Sequence, residues 1–261
     1  MNRIRGKMVV VTGASAGIGA ACARALAAHG ADLVLVARRE SRLAALAREL
    51  REREGVTVHD RVLDVRDRDG VAAFGHWLDE AGIAPDVLVN NAGLARGAAK
   101  LHEGRVEDWD EMIDTNIKGL LDMTRVILPG MVERNRGHIV NIGSTAGHMV
   151  YPGGNVYNAT KYAVRALTEA MNADLLGTNV KVSSVDPGMV ETEFSQVRFR
   201  VDEARAKAVY RGFQPLTAED IADAVVYVVN APDHVNVHNM LILPTAQRNV
   251  YLLHREEEAG G

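Results

Sequence analysis

The chain has little of what marks several protein classes. One cysteine, Cys22, stands among 261 residues. A lone thiol cannot close an internal disulfide, which excludes a stapled secreted scaffold and fits a reducing compartment. The seven prolines are scattered. No proline-rich linker, low-complexity run or internal repeat divides the sequence, so 1–261 reads as one domain. Positive charge is not in excess: 30 Lys+Arg face 34 Asp+Glu, a formal net charge of -4. Nothing is left over to neutralise a phosphate backbone, which argues against a nucleic-acid partner. No apolar run approaches the ~18 residues of a bilayer span, and the short run after Lys7 is too brief for a signal-peptide core. The expectation is a soluble, cytoplasmic protein without a membrane partner. Nine histidines are present, but they sit in no His-Glu-x-x-His or Cys-x-x-Cys pattern, and no metal is expected.

What is present is alternation. Short apolar runs at 8–12, 33–37, 56–63, 87–90, 138–142, 180–185 and 240–243 read as strands. Several are solid Val/Ile/Leu, as strands covered on both faces are. Helix-period stretches separate them at 18–29, 41–53, 67–81, 106–133, 156–176 and 218–230. This order predicts an α/β fold: a doubly wound, Rossmann-like parallel sheet of seven strands. Gly30 and Gly177 suit helix C-terminal caps, and Glu219 and Asp220 suit a helix first turn. The charged, glycine-ended stretch 252–261 reads as a frayed tail.

Thr12-Gly13-Ala14-Ser15-Ala16-Gly17-Ile18-Gly19 follows the first strand and opens the first helix. Glycines there permit a tight turn and let backbone N–H groups approach a pyrophosphate. The spacing is G-x-x-x-G-x-G rather than G-x-G-x-x-G, and such glycines can be turn chemistry alone; position at the first strand favours a dinucleotide. At the end of the second strand, a carboxylate would suit a ribose 2′-hydroxyl and an arginine a 2′-phosphate. Arg38-Arg39 stand there, with no acid before Glu40. NADP (NADPH) is therefore favoured. Arg38 is the better candidate, since a guanidinium can stack on adenine and pair with phosphate, although both could be solvated surface groups.

Tyr157 and Lys161 are four residues apart, on one helical face. A free phenol, with a pKa near ~10, is a poor acid–base group at neutral pH. A nearby lysine cation stabilises phenolate and lowers that value. Ser144, thirteen residues upstream of Tyr157 at a strand end, could polarise a carbonyl or hold an alkoxide.

These features together make the sequence resemble the short-chain dehydrogenase/reductase family from Lys7 to about Leu243. The resemblance rests on residues 12–19, Asp64-Val65, Asn90-Asn91-Ala92-Gly93, Asn116, Ser144, Tyr157, Lys161 and Pro187-Gly188. It implies that Tyr157 exchanges a proton with the substrate oxygen, which Ser144 positions. Lys161 would lower the tyrosine pKa and hold the nicotinamide ribose, and Asn116 would anchor a water behind it. Gly13, Ser15, Ala16, Gly17, Ile18 and Gly19 would hold the pyrophosphate side. Asp64, Val65, Asn91 and Gly93 would lie along the adenosine, and Pro187, Gly188, Val190 and Thr192 over the nicotinamide.

Within the family, the stretches 108–116, 128–135, 142–147, 151–157 and 192–199, together with Arg38-Arg39, resemble the NADP-dependent 3-hydroxy acid dehydrogenases. Serine, allo-threonine or 3-hydroxypropionate would be the substrate type, and a homotetramer the implied assembly, with helices 106–133 and 156–176 as interface candidates. The stretch 252–261 departs from that group's usual end. A carboxylate substrate needs a cationic partner, for which Arg96, Arg198 and Arg200 are candidates. The segment 194–211 is the expected pocket lid. A reductase of bulkier ketones or 3-oxoacyl thioesters is an alternative. A catalytically silent NADP-sensing protein is a reading from a different class.

Overall fold

The solid apolar runs are strands because each is covered on both faces. In the computed structural model, residues 1–200 and 202–256 are described, the side chain of Lys207 excepted. The first half runs β1 (Met8–Thr12), α1 (Gly17–Ala28), β2 (Asp32–Ala37), α2 (Glu40–Glu54), β3 (Val58–Val62), α3 (Arg68–Glu80) and β4 (Val87–Asn90). The second half runs α4 (Val106–Ile113), α5 (Gly119–Glu133), β5 (Gly137–Ile142), α6 (Asn155–Asp174), β6 (Val180–Pro187), α7 (Phe194–Phe199), α8 (Glu203–Ala208), α9 (Ala218–Val229) and β7 (Asn239–Ile242).

All strands pair in parallel, in the order β3-β2-β1-β4-β5-β6-β7. Val9 and Val11 of β1 join one core cluster with α1, α2 and α9, while Val10 joins the other with α3 and α5. Leu33 and Leu35 of β2 alternate with Val34 and Val36 in the same way. The order reverses where β4 lies beside β1, which opens a crevice at the carboxyl ends of these two strands.

Several expected boundaries move for physical reasons. The helix expected over 106–133 is interrupted by a π-helical turn, Asp114–Lys118, which holds Asn116; such turns gather at functional sites. The strand expected at 56–63 is shorter, because among the described residues β3 pairs with β2 alone and its ladder spans Val58 to Val62. The lid segment carries the two short helices α7 and α8. Gly30 adopts φ +82 and Gly177 φ +91, the left-handed conformation of helix stops. Thr217 and Asp220 close a capping box on α9.

Part of the stretch expected to fray is fastened. His254 N donates to Ala246 O at 2.9 Å, Glu256 N donates to Gly212 O at 2.7 Å, and Arg255 Nη2 donates to Val209 O at 2.9 Å. Residues 257–261 lie outside the described residues.

Candidate active site

The β1–α1 turn is clamped from β4. Asn91 Nδ2 donates to Thr12 O at 2.8 Å, and the backbone N–H groups of Asn91 and Ala92 both donate to Thr12 Oγ1 at 3.0 Å. The clamp leaves no room for side chains. Gly13 has φ +67, and a Cβ there would lie 2.8 Å from Asn91 Nδ2. At Gly19 a Cβ would lie 2.5 Å from Gly13 O. No side chain caps Ala16 at the N-terminus of α1, and its first turn holds no acid. The first N–H groups of α1 are thus open to an anion, at the positive end of the helix dipole.

The two arginines after β2 point different ways. Arg39 Nε donates to Ser15 Oγ at 3.1 Å, and its Nη1 pairs with Glu193 at 2.8 Å across the cleft. Arg42 joins the same carboxylate at 2.6 Å. The bonds from Arg39 and then Arg42 hold Glu193 below the usual carboxylate range. Arg38 faces Asp64 at 3.6 Å. Burial pushes Asp64 up, but the bonds from Arg66 outweigh it and its pKa is lowered. Of the pair, Arg39 lines the cleft and Arg38 does not. Val65 is buried against the backbone of Gly119 rather than facing the cleft.

The floor is built by β5 and α6. Ser144 follows β5, and its Oγ accepts from Ala146 N at 3.1 Å. Tyr157 and Lys161 rise from one face of α6, with the tyrosine ring 5.6 Å from that of Phe194. Burial pushes the Tyr157 phenol above its ordinary value, and Tyr151 adds to this; a hydrogen bond with Ser144 and the charge of Arg198 work against it. Lys161 Nζ donates to Ile142 O at 2.8 Å and lies 6.0 Å from the Tyr157 ring centre. Burial lowers the lysine to about 8, opposed by the charge of Asp186. Asn116 Nδ2 donates to Leu94 O at 2.8 Å and to Thr160 Oγ1 at 3.0 Å, and its Oδ1 accepts from Leu94 N. Asn116 sits behind Gly93, where a Cβ would lie 3.3 Å from its Oδ1 and 3.8 Å from Lys161 Nζ.

The lid supplies the other wall. Arg96 is committed to Glu111 at 2.6 Å and to Val197 O, and Arg200 to Asp108 at 2.5 Å. Arg198 lines the cleft; it donates to Gly97 O, Tyr151 Oη and Gly153 O at 2.8, 3.0 and 3.3 Å. A guanidinium has five N–H groups, and among the described residues these three bonds leave two of them without a protein acceptor. Tyr210 Oη donates to Val190 O at 2.8 Å. The resulting cleft is about 510 Å³.

Ala16, Gly17, Ile18, Arg39, Asn91, Gly93, Ser144, Tyr157, Lys161, Pro187, Gly188, Val190 and Thr192 all line it. Gly13, Ser15, Gly19, Arg38, Asp64, Val65 and Asn116 stand behind or beside it. Glu193 and Tyr210 line the cleft from the stretches 192–199 and 194–211 without having been singled out, and sequence reasoning missed Gln247, Leu253 and Arg255 as cleft residues altogether. Each of these last three comes from a distant segment, and none carries a local motif.

A glycine-rich turn at a strand-order reversal, facing a serine, a tyrosine and a lysine, defines an α/β oxidoreductase. The chain belongs to the short chain dehydrogenase family, whose model matches residues 7–202. It is 48% identical to an NADP-dependent 3-hydroxy acid dehydrogenase of Salmonella typhi, over 92% of this chain and 96% of that protein. It is 46% identical to sulfoacetaldehyde reductase 2 of Chromohalobacter salexigens, over 92% of this chain and 95% of that one. The closed form of a serine dehydrogenase complexed with NADP+ superposes with a TM-score of 0.88 at 45% identity, covering 95% of this chain and 100% of that one.

Proposed function

We propose that this protein interconverts small 3-hydroxy acids and their 3-oxo forms with NADP(H), by means of Tyr157, Lys161, Ser144 and Asn116. The carrying observation is the placement of Arg198 in the same cleft as Ser144, Tyr157 and Lys161. An anion is thereby offered a cation near the group that handles the oxygen. Malonic semialdehyde, the 3-oxo form of 3-hydroxypropionate, and sulfoacetaldehyde, the compound named for one relative, share one spacing, an aldehyde, a methylene and then an anionic group, which supports a short anionic substrate.

The residues present suit NADP. The uncapped α1 N-terminus and the glycine turn accommodate a pyrophosphate, and Arg39 stands where a 2′-phosphate would need charge. Pro187, Gly188, Val190 and Thr192 would cover the nicotinamide side. When bound, the nicotinamide supplies the hydride acceptor or donor. Tyr157 passes a proton to or from the substrate oxygen, Ser144 hydrogen-bonds that oxygen, and Arg198 fixes the far carboxylate. Lys161 contributes positive charge beside the phenol.

Following absorbance at 340 nm tests this reading, with NADP⁺ or NAD⁺ offered alongside L-serine, L-allo-threonine, 3-hydroxypropionate and neutral secondary alcohols. Turnover of the hydroxy acids with NADP⁺ is expected. Activity confined to the alcohols would move the substrate to bulkier or neutral ketones, and silence despite NADPH binding would make the protein a sensor. Arg198→Lys keeps the charge but loses the planar fork. KM for the hydroxy acid should rise ~10–100-fold, the worth of about 1.5–3 kcal/mol of charged hydrogen bonding. The kcat/KM for a neutral alcohol should stay within about twofold; an equal loss on both substrates would remove Arg198 from the carboxylate site.

We also place the protein in the cytoplasm as a homotetramer. Partly exposed Leu121 and Val132 on α5 and Tyr162 on α6 support the helical faces expected at the interface. Light scattering on the eluting protein should give four times the chain mass of 28.3 kDa.

A further inference from the structure

The end of β6 holds a buried carboxylate for which the proposed chemistry gives no task. Asp186 is 1% exposed. Its Oδ1 accepts from Ser184 Oγ, and its Oδ2 accepts from His148 Nε2 and, at 2.5 Å, from Asn239 Nδ2. These donors come from β6, from the turn after β5 and from β7. Among the described residues, no lysine or arginine forms an ion pair with it.

The carboxylate lies hard against the catalytic floor. Residue 143 is glycine because a Cβ there would overlap Asp186 Oδ1 and come within 2.8 Å of Ser184 Oγ. On one side of Gly143, Ile142 O accepts the Lys161 ammonium at 2.8 Å. On the other side is Ser144. An anion and a cation, both buried, therefore flank the same short stretch of backbone. Among the described residues the titratable group bonded to Asp186 is His148, and the charge of Asp186 also acts on Lys161, which is bonded on the near side of Gly143. Arg165, one turn beyond Lys161 on α6, touches the far side of the imidazole at 3.4 Å and pairs with Glu169.

We infer that Asp186 is a positioning residue whose buried carboxylate is the counter-charge that keeps Lys161 a cation beside Tyr157. Burial alone drives a lysine toward its neutral form, and Asp186 opposes that drift. A neutral Lys161 would take one positive charge away from beside the phenol, leaving only the Ser144 bond and the charge of Arg198 to favour phenolate. This consequence rests on the Tyr157–Lys161 reading of function.

The test separates the two claims. The chain has six lysines, few enough for each side chain to be followed by NMR in lysine-labelled protein, with Lys161 assigned by Lys161→Met. Titrated without nucleotide or substrate, Lys161 should have its midpoint near 8. In Asp186→Asn the midpoint should fall by about one pH unit or more, a tenfold change in the acid constant. Asp186→Glu, which keeps the charge, should hold it within about 0.3. Asp186→Ser is a second uncharged variant should the amide prevent folding, which a thermal melt reports. In parallel, the acid limb of kcat/KM for hydroxy-acid oxidation should move to more alkaline pH in the uncharged variants only. An unchanged Lys161 midpoint in both uncharged variants overturns the inference. A midpoint that falls while the limb stays put supports Asp186 as the counter-charge and overturns the Tyr157–Lys161 reading.

Discussion

Tyr157→Phe is expected to lower kcat by about 10²–10⁴-fold, in line with the loss of a positioned proton-transfer group, and to leave NADPH binding intact. The ring is buried against Phe194, with centres 5.6 Å apart, so phenylalanine fills the same volume and the stability cost should be small. Only the hydroxyl is lost, with its bond to Ser144. Because burial raises the phenol, followed in effect by Tyr151, Tyr157 carries its proton at neutral pH. Carbonyl reduction, which takes a proton from Tyr157, should therefore be flat across neutral pH and fall only in alkali. Alcohol oxidation, which needs phenolate, should climb with pH over the same range. Absorbance at 340 nm in both directions reads the rates, and quenching titrations read NADPH binding. A variant that binds NADPH and retains more than about a tenth of wild-type turnover would place the proton transfer elsewhere.

The sheet was legible because its cause is local to each strand. Val9–Val11 and Leu33–Val36 sit between two helical layers, so no polar residue interrupts them. The Gly13–Gly19 turn was legible for a similar reason, since the close approach that forbids side chains leaves a run of small residues. Less could be read where the cause is distant. The ends of β3 are set by the length of β2, its one partner. The break at Asp114–Lys118 changes the backbone bonding but not the apolar pattern on either side. Arg38 and Arg39 are the same residue type in the same run, and only the fold shows that one meets Asp64 and the other reaches Ser15 and Glu193. Glu193 itself lies more than 150 residues from Arg39. Arg255 reads as part of a solvated charged tail because its acceptors, the carbonyls of Val209 and Arg211, are backbone atoms of a remote segment. Asp186 gives no sign of burial in a sequence that reads Val185-Asp186-Pro187.

Mild acid is expected to destabilise the fold through one histidine. His138 lies on β5, 4% exposed, with Nε2 at 2.8 Å from Ser183 Oγ on the neighbouring strand. Among the described residues Nδ1 has no partner. Burial lowers this imidazole from 6.5 to about 3, and the charges of Lys181 and Lys7 add to the effect. The unfolded chain takes up a proton near pH 6.5 and the native one only near 3, so the native state binds fewer protons throughout that window. Stability must then fall as the pH drops from 6.5 towards 3, at up to about 1.36 kcal/mol per pH unit. Between pH 6.5 and 5 the loss from His138 is about 2 kcal/mol, a large share of the roughly 5–15 kcal/mol that holds a domain folded. The arginine-paired carboxylates act lower. Glu49, Glu111 and Glu193 are held down by bonds from Arg24, Arg96 and Arg39 in turn. Their stabilisation is present above the unfolded carboxylate value near ~4.3 and is lost as the pH falls through their lower native values. The window from pH 6.5 to 5 is thus free of them. His138→Gln keeps a partner for Ser183 and removes the titration. Urea unfolding followed by circular dichroism should show the wild type losing about 2 kcal/mol across that window, and the variant losing little. Equal losses in both proteins would mean that His138 is not the group that acid attacks.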